Sequence, residues 1–142
     1  EEAVDAALDL IDKNSLAYEA VEVGKKFVNQ SASNLHDHYG DMSPVHSLNN
    51  LAVVIWAFLS FKDSFDEAIG ETICCGWDTD CTGATVGGLI GLDKGSIPES
   101  WTDPWQGRVN TAIAGVGELK LEDLVERTCK LVDQFSSESD MD

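Results

Sequence analysis

Apolar residues recur three and four positions apart through most of the chain, the spacing of one face of a helix. Ala3, Val4, Ala7, Leu8 and Ile11 predict a first helix over residues 2–12. Ser15 offers an N-cap to a second, with Leu16, Ala20, Val23, Phe27 and Val28 on its inward side. The polar run "NQSASNLHDHYGDMSP" reads as a loop closing at Pro44, after which Ser47 is placed to cap a third helix. The middle of that helix, "LAVVIWAFL" from Leu51 to Leu59, is apolar on every side and belongs at the centre of its domain. It falls well short of the ~20 residues that cross a bilayer.

"SFDE", Ser64 to Glu67, is a capping box that opens a fourth helix with Phe65, Ala68, Ile69, Thr72 and Ile73 inward. A fifth helix is expected from about Cys81 to Leu92, stopped by "DKG". "SIPESWTDPW" reads as a loop, residues 107–115 as a short helix, and Leu121 to Phe135 as a last amphipathic helix. The tail, 136–142, is acidic, lacks apolar anchors and is expected to be disordered. No strand pattern of weight and no internal repeat is present, so residues 1–135 are expected to form one all-α domain.

Charge narrows the partners. Twenty-six acidic residues against nine basic ones give a net charge of −17, which repels phosphate backbones and anionic membranes. Nucleic acid and membrane are therefore excluded as partners, while cations are welcome. The cysteines Cys74, Cys75, Cys81 and Cys129 form no CxxC pair, and with no signal peptide visible a reducing, cytoplasmic location is expected.

The chemistry concentrates in "GWDTDCTGATVGGLIG", Gly76 to Gly91. Asp78 and Asp80 sit just before a helix N-terminus, where one carboxylate can cap the helix and the other face water. A calcium loop starting at Asp78 fails, because its twelfth position must be glutamate and is Leu89. A phosphate loop fails for want of the GxxxxGK[ST] pattern. Gly83, Gly87 and Gly91 share one helix face, where a neighbouring backbone could come close. Two carboxylates in one turn of a closely packed helix suit magnesium, which takes oxygen ligands and often only one or two carboxylates. His36, His38 and His46 lie near one another in sequence, but "HDH" aims its two imidazoles poorly for zinc.

"CGWDTDCTGATVGGLIG" followed by "IPESW", with "HSLNNLAVVIWAFL" and "SFDEAI" before it, resembles the C-terminal signature of the ADP-ribosylglycohydrolases, the dinitrogenase-reductase-activating-glycohydrolase type. The resemblance implies an all-α orthogonal multi-helix bundle, of which this chain is only the C-terminal part. It also implies a site with two magnesium ions that hydrolyses the glycosidic bond between ADP-ribose and an acceptor. The partner would be an ADP-ribosylated protein or a small ADP-ribose conjugate.

On this resemblance Asp78 and Asp80 are metal ligands. The next position, commonly Thr or Ser in the family, is Cys81, a poor ligand for hard magnesium, with Thr82 as a substitute. Trp77, Gly83, His46 and Asn50 are candidates for substrate binding, Trp77 equally for packing the turn and Asn50 equally for bonding it. The family's N-terminal Thr-Asp-Asp motif and its acidic catalytic residue have no counterpart here, so no catalytic residue is assigned. The missing N-terminal half is expected in the same or another chain. A non-catalytic ADP-ribose-binding or structural, crystallin-like protein on the same fold is the alternative.

Overall fold

The structure, a computed structural model, describes residues 1–139. It divides into two compact units, Glu1–Ser96 and a second from Ile97 onward.

In the first unit, α1 (Glu2–Asp9), α2 (Leu16–Lys26), α3 (Ser33–Tyr39), α4 (Ser47–Phe61), α5 (Phe65–Cys75) and α6 (Thr79–Lys94) follow one another. The all-apolar α4 is the central element, packed against α2, α5 and α6. Ala52, Val53, Trp56 and Ala57 are buried there, with Val86 and Ile90 from α6 and Leu35 from α3 in the same core. Burying side chains of this size contributes about 1.5–3 kcal/mol each for the larger ones. The Trp56 indole N–H donates to the Gln30 carbonyl at 3.1 Å, so its one polar group is satisfied.

The elements differ from the pattern-based expectation in instructive places. Helix α1 stops at Asp9 because Asp12 draws the Asn14 N–H to its carboxylate at 2.9 Å, a local bond that competes with helix. The polar stretch expected to be a loop contains α3, which turns its one buried residue, Leu35, into the core. Ser47 is the first residue of α4, not its cap; the cap is His46, whose Nδ1 accepts from the Leu48 N–H at 3.2 Å. Ser15 and Ser64 cap α2 and α5 as expected, accepting from Tyr18 and Glu67. Leu16 and Ile73, expected inward, are exposed.

The closest backbone approach is also not the expected one. A Cβ on Gly24 would lie 2.7 Å from the Ala52 carbonyl oxygen, so α2 meets the backbone of α4 there. Along α6, a Cβ on Gly83 or Gly87 would instead meet side-chain ends from α5, Ile73 at 3.0 Å and Ile69 at 3.1 Å.

The second unit holds α7 (Glu99–Thr102), a 3-10 turn (Asp103–Trp105), strands β1 (Arg108–Asn110) and β2 (Glu118–Lys120), and α8 (Leu121–Ser139). The strands pair antiparallel with Val109 opposite Leu119, where a short helix was expected. Gly107 and Gly115, the two ends of the expected helix, both adopt positive φ, which helical backbone does not. Helix α8 runs to Ser139, four residues past the expected end at Phe135. The remainder of the tail expected to be disordered, 140–142, lies outside the described residues. Among the described residues no helix is long and apolar enough to cross a membrane.

Candidate metal centre

Helix α5 ends at Cys75 and α6 starts at Thr79, so only Gly76, Trp77 and Asp78 connect them. Reversing the chain this quickly takes left-handed backbone, at Gly76 with φ 83° and at Trp77 with φ 60°. Glycine adopts it freely, whereas a side-chain-bearing residue does so at about 1–2 kcal/mol. Neighbours hold the turn. The Asp78 N–H donates to Asn50 Oδ1 at 3.3 Å, and His36 Nε2–H donates to the Cys75 carbonyl at 2.6 Å. The Trp77 ring lies between His36, with centroids 4.2 Å apart, and Tyr39, edge-on at 6.3 Å.

Asp78 occupies the N-cap position of α6, yet its carboxylate makes no capping hydrogen bond. Its carbonyl instead accepts from the Thr82 N–H at 3.0 Å and the Thr82 hydroxyl at 2.9 Å. The carboxylate is thereby left to face Asp80 and Cys81, and one ligand atom from each of the three lies within 4.8 Å of the others. Asp78 is half-buried; Asp80 and Cys81 are exposed. The first turn of α6 adds partial positive charge that favours the two anions.

The Cys81 thiol donates to the Asp78 carboxylate. That bond first, then the charge of Asp78, slight desolvation and the charge of Asp80, raises the thiol above its ordinary pKa. A protonated thiol is a poor partner for a hard dication, but two convergent carboxylates are a good one. The donor set thus fits magnesium through Asp78 and Asp80, with Cys81 acting as a hydrogen-bond donor that orients Asp78.

The other candidates separate. Thr82 is buried and spends its hydroxyl proton on the Asp78 carbonyl, so it turns into the helix, away from the carboxylate group. Its N–H is also engaged, because α6 begins at Thr79, two residues earlier than expected. Gly83 is buried against Ile73 of α5. Asn50 bonds the turn, and its amide also donates to the Pro44 and His46 carbonyls, both at 2.8 Å. His46 caps α4. The three histidines do not converge: His36 is on the turn, His38 sits edge-on to Tyr39, and His46 is at the start of α4. An open polar hollow of about 470 Å³, lined by residues 37–42, flanks α3. The hollow between Leu8, Ile55, Phe58 and Leu89 is lined by apolar side chains apart from Asp93.

His36 is the residue that the pattern gave no reason to connect with Asp78. Only the unexpected α3 carries it to the turn.

The sequence profile of the ADP-ribosylglycohydrolase family matches residues 1–139, nearly the whole chain. The chain belongs to the ADP-ribosylglycohydrolase family. Its function is accordingly of the glycohydrolase type, and its predominantly helical architecture is the one the family resemblance implies. Comparison with curated proteins returns no match, and comparison with solved structures returns none either. Within this family member the turn and the start of α6 bring one potential ligand atom each from Asp78, Asp80 and Cys81 within 4.8 Å of one another.

Proposed function

We propose that this chain contributes two magnesium ligands, Asp78 and Asp80, to a hydrolase that cleaves the glycosidic bond between ADP-ribose and a protein side chain or small-molecule acceptor. The observation that supports it most is the Asp78 carboxylate, which sits at a helix cap without capping and meets Asp80 instead. A structural cap would have turned its oxygens to the free N–H groups of α6.

Bound magnesium would orient ribose hydroxyls and lower the pKa of a water. The chain's own residues prepare the place: the Cys81 thiol and the Asn50 carboxamide fix the two ends of Asp78, side chain and N–H. The half-buried Trp77 shields one side of the turn from solvent. An oxocarbenium-like transition state also calls for an acid and for carboxylates that this segment lacks. A Thr-Asp-Asp segment in the same or another chain would complete the centre.

Magnesium titration by calorimetry tests the reading. The chain is expected to bind the ion, and Asp78→Asn and Asp80→Asn to lose binding with helicity intact. Affinity unchanged in both variants refutes it. Where the completing segment is present, magnesium-dependent release of ADP-ribose from a modified protein supports hydrolysis; binding of ADP-ribose without release supports a non-catalytic role.

A further inference from the structure

We propose that His36 is a positioning residue for the metal centre: from α3 it clamps the left-handed Gly76–Trp77 turn and thereby aims Asp78. The inference rests on the metal reading above only for its effect on ion binding; the clamp itself is a matter of geometry.

The turn is gripped at the peptide groups on both sides of its left-handed pair. Before it, the Cys75 carbonyl accepts from His36 Nε2–H at 2.6 Å. After it, the Asp78 N–H reaches Asn50 at 3.3 Å. Between them the His36 ring covers the Trp77 indole with an interplanar angle of 36°. A bulky residue at φ 60° persists only where its surroundings over-determine it. Here the surroundings include three side chains, His36 and Tyr39 from α3 and Asn50 from α4, and of these His36 supplies both a hydrogen bond and a ring contact. Asp78 follows Trp77 directly, so a turn released at Cys75 re-aims the carboxylate that Asp80 and Cys81 face. Residues that orient a ligand in this way typically govern metal affinity by about 10–100-fold.

His36 is exposed and lies outside the core, so its replacement leaves the packing of α4 untouched. Three variants separate its two contacts. His36→Ala removes both, His36→Phe keeps a ring without the donor, and His36→Gln keeps an amide donor at the place of Nε2. Amide hydrogen exchange over residues 76–81 and magnesium titration are read on each, with circular dichroism as the check on helicity.

His36→Ala and His36→Phe are expected to exchange about ten-fold faster in this segment alone and to lose about ten-fold in magnesium affinity. His36→Gln is expected to stay close to the parent in both. Exchange at parental rates in His36→Ala overturns the clamp. Faster exchange with undiminished magnesium affinity overturns the link from the turn to Asp78. A parent chain that binds no magnesium refutes the proposed function, and exchange then decides the clamp by itself.

Discussion

Asn50 joins the central helix to the turn that carries Asp78: its Oδ1 accepts the Asp78 N–H while its Nδ2 donates to the carbonyls of Pro44 and His46. One side chain thus ties two backbone segments, the one entering α4 at Pro44 and His46 and the turn at Asp78, which lies 28 residues along the chain from Asn50.

Asn50→Ala takes this partner from the Asp78 N–H and the Pro44 carbonyl, while the His46 carbonyl keeps the backbone N–H of residue 50 at 3.4 Å. With a penalty of about 1–3 kcal/mol for leaving a buried polar group unpaired, and partial access of water here, the loss is expected near the lower end. Urea denaturation reads it. Asn50→Asp keeps the acceptor for Asp78 but loses both amide donors, and it is expected to be destabilised as well. A variant as stable as the parent would show the network to be slack.

Gly24→Ala is expected to destabilise by about 1–3 kcal/mol, because its Cβ would fall 2.7 Å from a backbone oxygen that cannot step aside. Gly88→Ala is the contrasting case. It lies in the interior of α6 with open space around it, and is expected to gain up to about 1 kcal/mol from helix propensity. Thermal melts of both variants check the pair of opposite signs.

Cys81 is expected to be alkylated slowly by iodoacetamide at neutral pH. Its raised pKa keeps the thiol protonated there, so the rate climbs only as pH passes above the ordinary thiol range. Asp78→Asn removes the leading cause of that shift, and the profile is expected to move to lower pH. Site-resolved mass spectrometry distinguishes Cys81 from the other exposed thiols, Cys74 and Cys129. A profile that Asp78→Asn leaves in place would contradict the hydrogen bond.

Cys81→Ser replaces a soft donor with a hard oxygen and is expected to strengthen magnesium binding several-fold while weakening any preference for softer ions. Competition between magnesium and cadmium, followed by calorimetry, tests it.

Leu35→Ala is expected to cost about 2–5 kcal/mol, since Leu35 is fully buried and is the only residue of α3 in the core. Chemical denaturation measures it. A small loss would mean that α3 is held by His36 and the loop contacts more than by its anchor.

Local pattern determined a good deal. The apolar stripes place α2, α4, α5 and α6, the serines at 15 and 64 cap where the spacing says, and Asp78 and Asp80 stand out by their proximity at a helix start, although α6 begins at Thr79 and so includes Asp80. These follow from interactions within four or five residues, which the order of amino acids states directly. What tertiary structure decided depends on partners far along the chain. Helix α3 exists through one buried leucine and a bond to Cys75, not through a periodic face. The hairpin of β1 and β2 takes the place of the helix that 107–115 suggested, with positive φ at both ends of that range, Gly107 and Gly115. Above all, a carboxylate at a helix cap can bond the helix or face a neighbour, and spacing is the same in both cases. The choice is made by Thr82, Cys81, Asn50 and His36, whose arrangement around Asp78 only the packed helices bring about.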